Sequence, residues 1–400
     1  MLELVGVRPA HNTYFTMLAL PSPVSRVVYE RAAQLMFEAF NAPALCICEI
    51  PLLSAYAAGV LNAMVLDIGA EESSATVVSD CAVVPTGVVV TKLGVVHCTF
   101  WLAHLLRQDA AVCEALSPVA HGQLDAAAWA LAQQLVADGH VRVDASIHAA
   151  DEVDAAEDEG TFDVAAALVE GRERDVVAEQ ERRKQQDAAA AQARSAGAAQ
   201  SHDDDAVTVT FRGASVRVGR ARTRFHEPLL RPALLERVAL DMPTPRAVSQ
   251  ALQARRIGGT PPCVSLPEVV RLAVNNVVPM ERRVPLWESV IITGRATQTR
   301  GLAAELVHAL SAYVTNDATE AAQVVGEPNP LQPHTVRALK VPDYFAAFKE
   351  RMDLAGYLGA TIYAKLVFGD LSGRNYITKK QYSDGGPSVC LLYTSPSPRD

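Results

Sequence analysis

"QLMFEAFNAPALCICEIPLLSAYAAG", Gln34 to Gly59, is the stretch from which the rest of the chain can be read. It ends one helix, crosses a strand and opens a second helix. Upstream of it, Val27, Ala32, Leu35, Met36 and Phe40 recur at helical spacing, which predicts a helix over Pro23 to Phe40 with that face inward. Leu45 to Ile50 predicts a short buried strand, with Cys46 and Cys48 on one side of it because strand side chains alternate. Pro51 to Ala58 predicts a helix, closed by Gly59.

Working outward, "LDIGAEESSATVV", Leu66 to Val78, follows at once. Ala63 to Asp67 and Ala75 to Val78 predict two strands around a tight turn. Asp67 and Gly69 stand where strands that cradle phosphate often end. Glu71 and Glu72 then place two negative charges in the turn, which a phosphate loop should avoid. Val83 to Val90 predicts a further strand, and Phe100 to Arg107 and Leu124 to Ala137 predict helices.

The composition then shifts. Asp151 to Glu159, "DEVDAAEDE", holds six acids in nine residues. A short amphipathic stretch around Phe162 to Val169, a charged Ala-rich helix from Arg172 to Ala193, and a linker running to Asp205 follow. This 151–205 insertion reads either as a solvated surface excursion or as a partner contact. Beyond it, "VTVTFRGASVRV" predicts a hairpin turning at Arg212-Gly213. Helices are predicted near Leu229 to Ala239, Leu266 to Asn275, Leu302 to Tyr313 and Tyr357 to Phe368. Val290 to Ile292 predicts a buried strand ending in Thr293-Gly294.

The 400 residues are half apolar and carry a formal net charge of −9, so a large core is available and a broad nucleic-acid surface is not. Ile50 to Leu66 is the longest uncharged run, and Pro51, Ser54 and Asn62 within it count against a membrane span. The seven cysteines show no CxxC pair or Cys/His ligand spacing, which favours buried thiols over a metal site.

Gln34 to Gly59 resembles the actin family, whose members carry a similar Q-x-M-F-E-x-F-N-x-P-A run leading to L-S-x-Y-A-x-G and a phosphate strand. The later segments "VRVGRARTRFHEPLLRP", "WESVIITGRATQTRG", "YLGATIYAKLVF" and "YITKKQYSDGGPS" resemble further actin motifs in the same order. Within that family, "EDEGTFDVAAALVEGRERDVVAEQERRK", "VPDYFAAFK" and "NYITKKQY" resemble the fungal actin-related protein nine group of the SWI/SNF and RSC chromatin remodellers.

The resemblance implies an α/β, actin-like (ribonuclease-H-like) ATPase fold, truncated at its N-terminus. Residues 1–58 would form part of subdomain 1 and 59–105 the first half of subdomain 3. Residues 106–264 would form subdomain 4 with its insertion, 265–333 the second half of subdomain 3, and 334–389 the return to subdomain 1. "CLLYTSPSPRD", 390–400, reads like a translated sequencing adapter and is expected to be an artefact.

For function, the resemblance implies a nuclear, non-catalytic subunit. It would bind a long helix of the remodeller ATPase, of the helicase-SANT-associated type, and pair with a second actin-related protein. The partner-helix groove, carried over by position, is Tyr56, Ala57, Gly59, Tyr363, Leu366 and Phe368, with Gly59 permitting close approach.

ATP-binding members read D-x-G-D-G-x-T-H at the second phosphate hairpin. Here Asp67 and Gly69 remain, Ala70 and Glu71 take the next Asp and Gly positions, and Ser73 and Ser74 replace Thr and His. A carboxylate about 4 Å from a phosphate costs several kcal/mol even at an effective dielectric near 20. In the adenosine segment Gly294 remains, and Arg295 stands where a second glycine would let the nucleotide rest; an arginine there could stack on a base or bind phosphate, and blocking is the expectation. The vestigial pocket is therefore Asp67, Gly69, Glu71, Gly294 and Arg295, with no cofactor expected and weak binding of ATP and magnesium left open. The rival reading is an actin-fold ATP-binding protein or ATPase with a cytoskeletal role.

Overall fold

In a computed structural model, residues 8–120, 122–143, 206–238, 242–243, 245–250, 263–321, 333, 335–370 and 375–392 are described. The 151–205 insertion lies outside them, as do the end of the helix predicted to Ala239 and residues 393–400. The strands, in chain order, are β1 (Thr16–Leu20), β2 (Ala44–Glu49), β3 (Ala63–Ile68), β4 (Ser73–Ser79) and β5 (Ala82–Thr91). Then come β6 (Val207–Phe211), β7 (Ala214–Val218), β8 (Val290–Thr293), β9 (Ala338–Leu339) and β10 (Ile377–Thr378).

Two sheets organise these strands. In the first, β2 lies between β1, which is parallel to it, and β10, which is antiparallel. In the second, the order is β5-β4-β3-β8-β9, with β3, β8 and β9 parallel and β3, β4 and β5 a meander. The β3–β8 register sets Asp67 opposite Thr293. β6 and β7 form a separate hairpin, turned at Arg212 and Gly213, both with positive φ. The architecture is mixed α/β.

The Ile50–Ala58 helix joins the sheets. It is apolar nearly all round, as a helix packed on several sides must be. Leu53 packs with Cys46, Cys48 and Val367, Ala55 with Ala63, Val65 and Ile291, and Ala57 with Val341, Ala355 and Leu358. The largest core cluster lies beyond the second sheet, where Met64, Leu66 and Val77 meet Phe100, Leu106 and Leu131. These last three sit on the Val95–Gln108 and Leu124–Ala137 helices.

Several expectations need correction. The helix predicted over Pro23 to Phe40 is an α-helix over Arg26–Gln34 followed by a π-helical turn, Leu35–Ala39. Its inward face is Tyr29, Ala33 and Phe37, whereas Val27 and Leu35 are 71% and 52% exposed. The Tyr29 hydroxyl donates to Glu49 at 2.8 Å and Phe37 stacks on Tyr382, which turns the aromatic stripe inward. Ala32 and Met36 of the predicted face do pack, half-buried, against the same cluster. The helix predicted over Leu229 to Ala239 breaks into Glu227–Leu230 and Leu234–Val238 around Pro232. β1 was not foreseen. Its five residues, all half-buried, show no alternation.

At the chain's end, Pro387–Leu392 form a 3₁₀ turn. Within it Cys390 is buried in the cluster of Tyr29, Leu45, Ile47 and Ile377. Cys390 and Leu391, at the start of the tail expected to be artefactual, therefore pack against the cluster beside the first sheet.

Candidate functional site

The turn between β3 and β4 is built around Gly69. Its N–H donates to the Glu72 carbonyl at 3.1 Å, and a Cβ at Gly69 would come within 2.5 Å of that oxygen. The turn folds onto the start of the Val95–Gln108 helix. The Gly69 and Ala70 carbonyls accept from the Val95 and Val96 N–H groups at 3.1 and 2.9 Å. A helix N-terminus is a ready anion site because its first N–H groups lack partners. Here two of those donors are occupied by the loop's own carbonyls. Glu71 and Glu72 are exposed, and Glu72 pairs with Lys92 at the surface. Glu71 is not among the residues that line the cleft.

The cleft lies between the two sheets and has a volume of about 490 Å³. One side is Met17 and Ala19 of β1 with Ile50, and the opposite side is Asp67, Thr293 and Gly294. The Ala355–Gly369 helix closes it with Gly356, Tyr357, Ala360, Thr361 and Ala364, and Asp353 lies just before that helix. Gly294 has φ of 93°, and a Cβ on it would sit 2.5 Å from both Asp67 Oδ1 and the Ile68 carbonyl, so no other residue fits. Arg295 starts the exposed 3₁₀ turn that follows and is not part of the wall. That turn still borders the cleft, since its Gln298 donates to Asp353 of the wall at 3.0 Å.

The charges that face the cleft are carboxylates. Burial raises the Asp67 pKa. Arg351, at 2.8 Å, lowers that of Asp353, with Gln298 also donating to it at 3.0 Å. No lysine or arginine stands among the described lining residues. A magnesium-bound triphosphate is a poor fit to such a wall. Asp67 alone could face the metal's water shell, and nothing on the described wall meets the remaining phosphate charge. Among the described residues, no group of three or more His, Cys, Asp or Glu is placed to hold a metal ion. None of their helices is long and apolar enough to cross a membrane.

The second candidate surface lies on another side of the same helix. The Ile50–Ala58 and Ala355–Gly369 helices run side by side in the same direction. Gly356 faces Ile50, Gly359 faces Leu53, and the Tyr56 and Tyr363 rings lie 4.9 Å apart. The same step brings Gly59 and Leu366 to one level. A Cβ at Gly359 would fall 1.7 Å from the Leu53 carbonyl oxygen, so the close approach is made by Gly359. Gly59 instead supplies a left-handed cap with φ of 73° and open space around it, which corrects the role assigned to it. Leu366 is 59% exposed. Phe368 packs with Phe15 and Tyr376 at 5.3 and 5.5 Å. Ala57 is buried against Val341, Ala355 and Leu358, so it offers no surface to a partner. Burial pushes the Tyr56 phenol up to about 12 and raises that of Tyr363, beside Cys48.

Sequence reasoning missed Asp353, Ile50 and the β1 residues of the cleft. Asp353 sits in a short 3₁₀ turn, Met352–Leu354, with no motif, and β1 carries no alternation. For Gly359 there was a signal, the small residues of "YLGATIYA", without any indication of what they approach.

Comparison with known proteins follows this geometry. The family model described as Actin matches residues 5–394. The "SWI/SNF and RSC complexes subunit arp9" of Schizosaccharomyces pombe (strain 972 / ATCC 24843) is 24% identical over 421 residues, covering 95% of this chain and 72% of that protein. The turn at Gly69, the left-handed Gly294 beside Asp67, and the paired helices at Gly359 are thus features of a chain that belongs to the actin family.

Proposed function

We propose that this chain is a non-catalytic actin-related subunit of a nuclear chromatin-remodelling complex of the SWI/SNF and RSC type. In this reading it binds a long helix of the remodeller ATPase and pairs with a second actin-related protein. The similarity to the arp9 subunit named above supports membership of such a complex. The observation that carries the helix-binding reading is Leu366. An exposed leucine next to the Tyr56–Tyr363 ring pair, with the partly exposed Phe368 beyond it, offers an apolar stripe of the kind an amphipathic helix covers. Aromatic anchors of this kind dominate interface energies.

A second reading, an ATP-binding actin with a cytoskeletal role, draws on Asp67 and Gly294, which both line the cleft. Two features weigh against it. The described wall lacks a cation, and Ile50 and Asp353 stand in it where a polyphosphate needs polar donors.

The test is Leu366→Asp, which places an unpaired charge in the contact at a cost of roughly 2–5 kcal/mol. Because Leu366 is exposed in the free chain, the fold should survive, and circular dichroism checks this. The variant should fail to co-purify with the ATPase helix. A folded variant that binds as tightly as the wild type would remove the groove from consideration.

A further inference from the structure

The cleft between the sheets poses a question separate from the groove. It is lined by Gly356, Ala360 and Ala364 of the Ala355–Gly369 helix, and Tyr363 and Leu366 are not among its lining residues. Its wall is mostly hydrocarbon: Met17, Ala19 and Ile50 on one side, Ala360 and Ala364 on the helix. Its volume of about 490 Å³ falls within the range of small-molecule sites.

The two carboxylates in the wall differ. Asp353 is held by Arg351 at 2.8 Å and Gln298 at 3.0 Å, and its charge is balanced within the chain. The Asp67 carboxylate makes no hydrogen bond or ion pair with a described side chain, yet it is largely withdrawn from water at the end of β3. A charge in that position is costly until a cation or a donor meets it. On the β8 side the Gly294 backbone packs directly against Asp67, where even a Cβ would fall 2.5 Å from Oδ1, so that side is closed and the approach to Asp67 is through the cleft. At the mouth, Tyr357 is 63% exposed and presents an aromatic ring. Aromatic rings favour both aryl groups and cations.

We propose that this cleft binds a small organic cation with an apolar body, such as an arylalkyl ammonium, in place of a polyphosphate. The ammonium donates to the Asp67 carboxylate, the hydrocarbon body lies against Ile50, Ala360 and Ala364, and Tyr357 closes over it. A polyphosphate meets the reverse of what it needs, a carboxylate on an apolar wall. The inference does not depend on membership of a remodeller, and co-purification through Leu366 reads a different surface, so the two can fail separately.

The test uses the full chain and three probes of one shape: 2-naphthylmethylammonium, 2-naphthylmethanol and 2-naphthoate. Ligand-detected NMR titration follows each, with Mg-ATP as competitor. The ammonium should bind roughly tenfold or more tightly than the alcohol, as a charge-assisted hydrogen bond requires. The carboxylate should not bind, and Mg-ATP should not displace the ammonium. Asp67→Asn, nearly isosteric, should bring the ammonium down to the level of the alcohol. Ala364→Phe, which fills the cleft, should abolish binding of both and serves as the second variant if Asp67→Asn does not fold. Three results overturn the proposal: equal binding of ammonium and alcohol to the wild type, ammonium binding unchanged in a folded Asp67→Asn or Ala364→Phe protein, or Mg-ATP displacing the ammonium.

Discussion

Substituting Gly359 with alanine sets two effects against each other, and the structure decides between them. In a helix interior, Gly→Ala gains about 1 kcal/mol from backbone entropy and propensity. Gly359 lies within the Ala355–Gly369 helix, so that gain is available. The new Cβ, however, would fall 1.7 Å from the Leu53 carbonyl oxygen, 2.4 Å from its carbon and 3.0 Å from its Cα. All three are backbone atoms of a buried helix, so no rotamer change relieves the clash. The two helices must separate by more than an ångström to restore contact near 3 Å. Overpacking of this kind costs roughly 1–3 kcal/mol and sometimes more, and the carbonyl contact places Gly359 at or above the top of that range. Net destabilisation of about 2 kcal/mol is expected. Two neighbours serve as controls. A Cβ at Gly356 comes close only to the side-chain methyl Cγ2 of Ile50, at 2.9 Å, with Ser54 Oγ and Ile50 Cβ at ordinary contact distances of 3.8 and 3.9 Å, and Gly369 has nothing within 4 Å. Chemical denaturation of the full chain should therefore rank Gly359→Ala well below wild type, Gly356→Ala close to it, and Gly369→Ala level with it. Because Tyr363 follows one turn later, the Gly359 variant should also lose affinity for the partner helix. A Gly359→Ala protein as stable as the Gly369→Ala protein would show that the helices are not in contact here.

Further expectations follow from the same sites. Burial lowers the His97 pKa to about 4, while Gly94 N–H donates to its Nδ1 at 3.1 Å. The unfolded chain binds a proton near 6.5 that the folded chain refuses, so stability should fall as pH drops from about 6.5 toward 4. The loss is on the order of 3 kcal/mol, and it should flatten in His97→Gln, read by unfolding at stepped pH. Asp67 has the opposite sign. Its folded pKa is raised by burial, so the folded state holds its proton more tightly and loses stability as pH rises past the unfolded value near 3.9. Asp67→Asn should therefore be more stable than wild type at pH 7, with the difference vanishing below pH 4. Incubated with Mg-ATP, the chain should release phosphate only at background rate. Turnover that disappears in Asp67→Asn would restore the ATPase reading.

What the sequence determined alone was the order of elements and the family. The Gly59 cap, the Ile50–Ala58 helix, the strands around Asp67 and the Arg212-Gly213 hairpin all rest on local rules. A left-handed residue, an apolar period and a turn dipeptide act within a few residues of one another, so they can be read along the chain. Only the tertiary structure decided which side chains face the cleft and the groove. Arg295 and Glu71 share motifs with cleft residues yet are exposed and do not line the cleft, which motif position alone does not show. Ala57 is one residue from Tyr56 and is buried, because Val341, from the loop after β9, covers it together with Ala355 and Leu358. Asp353 and Ile50 enter the cleft from positions about three hundred residues apart, and no local period links them. The inward face of the Arg26–Gln34 helix turned on Tyr29 reaching Glu49 across the first sheet. Such contacts depend on the packing of segments distant in sequence.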